Sequence, residues 1–365
     1  MTQKKQGCIF ISLYQSHPSY HGASDITSNF FKKWKNKNKK IIQISNNIIK
    51  NKKIINVKKK NGLFGTLINI IKITLITRKE LFKYKKKYIV IEGASWIGYI
   101  YLLIKLIKLL IKDIKIIYHA HNLEYEVRKL KNYKLISFLS FYLEKLTYKN
   151  TTGTSVSNQD KKFIKKYYFK NTILFENFIN PEKPKKISNL NLKKKNYVLF
   201  CGSYSYWPNK FAIDKIIEEK KIISKKFKKI KFVFTGEDYP LNNDKDILNL
   251  GIVSKKHLVW LYKNCLFFYA PLPKAPGTKI KIIEAIYYGA TVICSKNAIR
   301  NIRRLKDINF LFIVGRKKIS NIINFIKSKK FTDLRKKNAE FKKYYNCSTK
   351  IKKFDDELFK KKFFE

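Results

Sequence analysis

The stretch Pro271-Leu-Pro-Lys-Ala-Pro-Gly277-Thr278-Lys279-Ile-Lys281-Ile-Ile-Glu284-Ala-Ile-Tyr-Tyr-Gly289 gathers residue types that can hold a charged ligand. An apolar run ends near Ala270, a Pro/Gly loop follows, and the apolar spacing beyond it predicts a helix from Thr278 to Tyr288. A helix that starts at such a loop points free N–H groups and the positive end of its dipole outward, which suits a pyrophosphate. Lys279 and Lys281 would add point charges there, and Glu284, one to two turns on, would accept hydrogen bonds from two vicinal ribose hydroxyls. Gly289 would close the helix in the left-handed conformation.

Three other segments place polar residues just after apolar runs. Val198-Leu-Phe-Cys-Gly202-Ser-Tyr-Ser-Tyr-Trp-Pro208-Asn209-Lys210 reads as a strand, a glycine that lets a ligand approach the backbone, and a helix start with Lys210 as the nearest cation. Ile116-Ile-Tyr-His119-Ala-His121-Asn122-Leu-Glu124 puts two histidines at a strand end. If the strand continued, His119 and His121 would face opposite sides; with no CxxC or HExxH spacing nearby, no metal site is expected. Either histidine is also compatible with a purely structural role. In His17-Pro-Ser-Tyr-His21-Gly22-Ala-Ser-Asp25, a glycine-bearing loop enters a helix that Ser24 or Asp25 would cap.

The order Gly277, Thr278, Lys279, Lys281, Glu284, Ala285, Gly289 resembles the donor-binding motif of retaining glycosyltransferase family 4, the group 1 transferases, which reads much like G-T-R-x-K-x-x-E-A-x-x-x-G-x-P-V-V. The Val198 to Lys210 segment resembles the opening of that family's nucleotide domain, and Glu176-Asn177-Phe-Ile-Asn180 resembles its interdomain N-G-V-D stretch with phenylalanine in place of glycine. The resemblance implies a GT-B fold and transfer of a sugar from a nucleotide diphosphate sugar, with retention of configuration and no bound metal or cofactor. It implies that Gly277, Thr278, Lys279 and Lys281 bind the diphosphate, that Glu284 holds the ribose, and that Gly202 and Lys210 line the nucleotide site. It also implies that Gly22 approaches donor phosphate and acceptor, and that His121, with His119 in reserve, hydrogen-bonds the donor sugar. Two departures stand out. Pro276 occupies the position eight residues before Glu284 where the family often has a first glutamate, which puts the donor sugar in doubt, and the usual phosphate-gripping pair of arginine or lysine after Gly202 is not evident.

The elements that would position these residues alternate as strand-length apolar runs and longer periodic segments, the signature of βαβ units and parallel sheets. The expected architecture is α/β, with two Rossmann-like doubly wound domains facing a central cleft and a helical tail. Residues 1–180 form the acceptor-side domain, 181–195 a linker, 196–330 the nucleotide-sugar domain, and 331–365 helices that pack back on the first domain. In that tail Phe354, Leu358, Phe359, Phe363 and Phe364 are apolar anchors. Helices are expected over Phe64–Ile76, Trp96–Leu110 and Asn132–Lys149, and a strand over Ile247–Ile252.

A chain of 365 residues with 45% hydrophobic and 15% aromatic residues can bury two cores. Its formal net charge of +55 raises nucleic-acid binding first. The charge is nearly all lysine spread over every segment, whereas phosphate and base recognition favours clustered arginine, so no specific nucleic acid is expected. A cationic surface still concentrates anionic substrates and anionic lipid head groups. Ile97 to Ile111, with Lys105 and Lys108 on one face, reads either as a core-packed helix or as a membrane-surface helix. The five cysteines are far apart and read as buried thiols in a reducing cytoplasm. The expected function is a cytoplasmic glycosyltransferase, peripheral to the inner face of the membrane, with a glycan or lipid-linked acceptor in polysaccharide or lipopolysaccharide synthesis. Alternatives are a sugar-nucleotide epimerase or phosphorylase of similar build, and a non-enzymatic basic protein that binds nucleic acid or a membrane surface.

Overall fold

The computed structural model describes residues 4–361 apart from 20–21, 35–37, 48, 50, 94, 131–132, 188–191, 241–243, 316–317 and 333–336. His21, Asn132, Phe363 and Phe364 therefore lie outside the described residues. The chain divides into two compact units, one formed by residues 1–178 with 347–365, the other by 179–346.

The first unit runs β1 (Lys4–Ser12), α1 (Gly22–Lys33), β2 (Lys39–Ile44), β3 (Ile54–Val57), α2 (Gly62–Leu81), β4 (Tyr84–Glu92), α3 (Ile97–Leu110), β5 (Ile114–His119), α4 (Glu124–Leu130), α5 (Lys134–Lys149), β6 (Thr152–Ser155), α6 (Asn158–Phe163) and β7 (Ile173–Leu174). Its strands form a parallel sheet in the order β3-β2-β1-β4-β5-β6-β7. Central strands are apolar on both faces because helices cover both, and Ile9, Ile11, Ile89 and Ile91 are almost fully buried. Register pairs Ile9 with Ile89 and, at the carboxyl ends, Glu92 with His119.

The second unit runs β8 (Tyr197–Cys201), α7 (Trp207–Lys226), β9 (Lys231–Thr235), β10 (Ile247–Asn249), α8 (Lys255–Asn264), β11 (Phe267–Ala270), α9 (Ile280–Tyr287), β12 (Val292–Ser295), β13 (Leu311–Val314), α10 (Ile319–Lys327), α11 (Lys329–Thr332) and α12 (Ala339–Tyr345). The parallel order β10-β9-β8-β11-β12-β13 reverses direction between β8 and β11. In open α/β sheets such a reversal opens a crevice beyond the carboxyl ends of the strands, where ligands bind.

The last helix, α13 (Cys347–Lys360), belongs to the first unit. Phe354 stacks on Phe175 with ring centroids 4.4 Å apart, Lys350 pairs with Glu176 at 2.7 Å, and Leu358 is buried, while Phe359 is exposed. On the other unit, Asn338 just before α12 donates to the carbonyls of Ile286 and Tyr287. Of the tail expected over 331–365 to pack back on the first domain, the part from Cys347 belongs to the first unit and the part up to Asn346 to the second.

Several expected boundaries move for local reasons. The helix expected from Thr278 starts at Ile280, because Gly277 sits at φ +72° and Lys279 is extended at φ −84°, ψ 92°. The helix expected over Asn132–Lys149 is preceded by a separate α4, and the strand expected to reach Ile252 stops at Asn249, before Gly251 at φ +59°. Helix α2 extends beyond the expected Phe64–Ile76 at both ends.

Candidate functional site

In the second unit the two motifs, far apart in sequence, meet at the reversal point. Gly202 follows the last residue of β8 at φ +144°, a conformation open mainly to glycine. A Cβ there would lie 2.5 Å from both Lys281 Nζ and Asn209 Nδ2, so any side chain would have to displace the two polar groups gathered at this backbone. Lys281, in the first turn of α9, donates to Asn209 Oδ1 at 2.6 Å and lies 4.5 Å above the Phe200 ring. Asn209, in the first turn of α7, in turn donates to Ser203 O at 2.9 Å. Burial pulls the Lys281 ammonium down to about 8, against the raising influence of Cys201 and Glu284. A cation held part-way to neutrality beside two helix N-termini is a receptor for a multiply charged anion.

Glu284 lies one turn beyond Lys281 and is only 5% exposed. One carboxylate oxygen pairs with Lys255 of α8 and the other accepts from the Tyr262 hydroxyl at 3.3 Å. Tyr262 also contacts Cys201 Sγ at 3.0 Å, so a buried polar line joins the end of β8 to the α9 carboxylate. Thr278 Oγ1 is buried with no hydrogen-bond partner among the described residues. Gly289 takes φ +79° just after α9, the helix-closing role expected of it.

Two of the expected cations are engaged elsewhere. Lys279 Nζ donates to the carbonyls of Ala275, Pro276 and Gly277, at 2.9, 2.6 and 3.0 Å, and so braces its own loop. Lys210 is exposed on α7, where it donates to the Tyr204 hydroxyl at 2.7 Å and pairs with Asp214 at 3.2 Å. Sequence reasoning missed Asn209, Lys255 and Tyr262 as members of this cluster. Asn209 carried a faint signal in its Pro-Asn dipeptide, and the other two carried none.

In the first unit a second polar cluster sits at the ends of β4 and β5. The strand does not continue past His119, so the condition under which His119 and His121 would face opposite sides is not met: β5 ends there and the chain turns at Ala120, whose N–H donates to Thr154. Both rings converge on one carboxylate oxygen of Glu92, His119 Nδ1 at 2.8 Å and His121 Nε2 at 2.9 Å, and Thr27 donates to the same atom at 2.8 Å. Glu92 is fully buried, and its other oxygen has no partner among the described residues. Burial pushes this carboxyl up, but the two imidazoles outweigh it and hold it down at about 2. Burial also lowers His121 below the usual histidine range, against the pull of Glu92. With an ionised Glu92 accepting, Nε2 of His121 carries the proton and Nδ1 is left as an acceptor. The same three side chains offer ligand atoms within 4.8 Å of one another and could hold a metal ion.

The loop before α1 is structural where it is described. His17 is buried between Ser16 and Ser28, 3.1 Å from each hydroxyl, and Gly22 is the exposed first residue of α1.

Comparison with known proteins agrees with this architecture. Residues 195–324 match the family model described as Glycosyl transferases group 1. None of the curated proteins matches the chain in sequence. Among solved structures, Anabaena HepE (Alr3699) in complex with UDP and glucose superposes with a TM-score of 0.71 at 13% identity, covering 97% of this chain and 100% of that one. A glycosyltransferase from Rickettsia africae gives a TM-score of 0.64 at 15% identity over 99% and 100% of the two chains. WaaG, a glycosyltransferase involved in lipopolysaccharide biosynthesis, gives 0.62 at 12% identity over 95% of each. The chain thus has the α/β GT-B fold, with two Rossmann-like parallel sheets, and its second unit matches the group 1 glycosyltransferase model over residues 195–324.

Proposed function

We propose that this protein is a glycosyltransferase that moves a sugar from a nucleoside diphosphate sugar to a hydroxyl of a glycan or lipid-linked acceptor, in cell-surface polysaccharide or lipopolysaccharide synthesis. The observation that carries this reading is the meeting of Gly202, Asn209, Lys281 and Glu284 beside the β8–β11 reversal, within the residues that match the group 1 model. The similarity to HepE, solved with UDP-glucose, supports a nucleoside diphosphate sugar as donor.

Each residue has a role that its chemistry allows. Lys281, the N-terminus of α9 and the unsatisfied hydroxyl of Thr278 offset the charge of the departing diphosphate, which is the electrostatic work a divalent metal does in other transferases. Glu284 accepts from the ribose hydroxyls, exchanging or sharing its bonds to Lys255 and Tyr262. His121 accepts a hydrogen bond from a donor-sugar hydroxyl through Nδ1, its orientation fixed by Glu92. Retention of configuration and independence of metal come with the family resemblance and are part of the proposal. So is contact with an anionic membrane surface from the cytoplasmic side.

Calorimetric titration with nucleoside diphosphates tests the central assignment. Glu284→Ala should weaken binding by about 2 to 3 kcal/mol, the range for a charge-assisted hydrogen-bonded pair, in protein whose melting curve shows it still folded. Unchanged affinity in that variant sinks the ribose role. Product analysis separates the alternatives: a transferase frees nucleoside diphosphate only when an acceptor hydroxyl is supplied. Donor conversion without acceptor points to an epimerase, and dependence on inorganic phosphate to a phosphorylase. Turnover should also survive exhaustive chelation; loss of activity restored by zinc would make Glu92, His119 and His121 metal ligands instead.

A further inference from the structure

Helix α5 turns much of its apolar surface outward. Its buried side holds Ser137, Ser140, Glu144 and Thr147 beside Tyr148, with Phe141 and Leu143 partly buried against the core, while Leu135, Phe138, Leu139, Tyr142 and Leu146 face outward. Leu135 is 80% exposed and Phe138 61%. The inward row is satisfied by hydrogen bonds: Glu144 accepts from the N–H groups of Glu124 and Tyr125 and from the Tyr168 hydroxyl, and Thr147 donates to Leu143 O. The polarity is therefore a settled feature of the unit, and among the described residues it is the apolar side that is left exposed.

Helix α2 repeats the pattern. Phe64, Ile68, Ile71 and Leu75 follow one another at helical spacing and are all exposed, Phe64 to 79%. Helix α3 contacts both α2 and α5 and so lies between them. The sequence left α3 as either a core-packed or a membrane-surface helix, and the burial of Ile97, Ile100, Leu103, Ile104 and Ile107 fits the core-packed reading. The outward apolar stripes belong to its two neighbours.

The charge on this layer has one sign. Lys72, Lys105, Lys108, Lys134 and Lys149 are exposed on the three helices. Their carboxylates are Glu80, paired with Lys40 and Lys83, and the buried Glu144. An exposed apolar surface of this extent marks an interaction site. A lysine fringe opposes a second copy of the same face and favours negatively charged head groups over an acyl interior. None of the described helices is long and apolar enough to cross a membrane, so such a face lies on the bilayer.

We propose that the outer faces of α2 and α5 dock the first unit on an anionic lipid bilayer, with Phe64, Ile68 and Ile71 of one helix and Leu135, Phe138 and Tyr142 of the other entering the interface. The inference deepens the membrane contact contained in the proposed function and rests on that reading for its purpose. Its test involves no turnover, so each can fail without the other.

The full chain is sedimented with vesicles of phosphatidylcholine alone and of phosphatidylcholine with phosphatidylglycerol. The wild type should partition onto the anionic vesicles, and the double variant Leu135→Asp, Phe138→Asp should bind them at least about tenfold more weakly, since carboxylates replace two apolar side chains that would leave water. Ile252→Asp, which alters an exposed apolar residue of the second unit, should bind like the wild type. A single Tyr142→Trp variant gives a second readout, a blue-shifted indole emission on adding anionic vesicles. Equal vesicle binding by the double variant and the wild type overturns the proposal, as does an unshifted indole. So does a dimer in vesicle-free sedimentation that the double variant converts to monomer. Nucleoside diphosphate affinity, measured on the same samples, should not change.

Discussion

Lys281 carries a charge that its surroundings work against, and this makes its protonation a handle on the site. Burial has brought it down to about 8, so the free protein loses the cation as pH rises through that value, while a bound diphosphate favours the protonated form. Affinity for a nucleoside diphosphate should therefore be flat below about pH 7 and fall above pH 8, by up to about tenfold per unit for one linked proton. Lys281→Met should flatten the profile and cost about 2.7 to 4 kcal/mol in transition-state stabilisation, the scale of one lost oxyanion donor. A binding profile for the wild type that stays level to pH 10 would remove Lys281 from the phosphate contacts. The residue types at this site were readable from the sequence, but their partners were not. Lys281 meets Asn209 across 72 positions and Glu284 meets Lys255 across 29, and no local pattern encodes a contact of that span. Lys279 and Lys210 show the converse, since the right charge near the right loop is taken up by carbonyls or by Tyr204 and Asp214.

At the scale of elements, buried strands were the easiest to read. β3 and β5 run as expected, because each is a short run rich in isoleucine, bounded by polar and turn-forming residues. Helix α5 was expected only as a helix over Asn132–Lys149, since periodicity gives the two faces of a helix but not which one the fold buries, and the fold turns the polar row inward. Its inward Glu144 gives that inversion a measurable signature. Burial raises this carboxyl to about 8, so the folded chain keeps a proton that the unfolded chain gives up near 4.5. Stability from this group is complete below pH 4.5 and declines as pH rises toward 8, at no more than about 1.4 kcal/mol per unit. Glu92, held at about 2, stays ionised in the folded chain throughout that window and contributes to the slope only near pH 4.5, where the unfolded chain still holds its proton in part. Glu144→Gln keeps one acceptor oxygen, enough for the Glu124 N–H, places a donor where the Tyr125 N–H and the Tyr168 hydroxyl now donate, and removes the titrating proton. Its melting temperature should gain on the wild type steadily from pH 5 to pH 8.5, and a constant offset across that range would mean that Glu144 titrates normally.

For the whole molecule the dominant fact is a formal charge of +55 that neither candidate site needs in full. Lysines on almost every exposed helix face create a field whose reach depends on salt, about 30 Å at 0.01 M and about 8 Å at 0.15 M. A donor carrying a diphosphate feels this field on approach, whereas the reacting atoms, once enclosed by Lys281 and the helix N-terminus, feel mainly the local charges. Raising ionic strength across that range should therefore raise KM for the donor several-fold and leave kcat nearly unchanged. Vesicle docking should respond differently, because apolar side chains of α2 and α5 supply a part of the attraction that salt does not screen. Salt should thus weaken docking without abolishing it, while nonspecific nucleic-acid binding, if charge alone drives it, should vanish with a steep logarithmic slope. Equal slopes for vesicles and nucleic acid would mean that the exposed leucines and phenylalanines of the first unit contribute nothing to docking, and that its surface acts through charge alone.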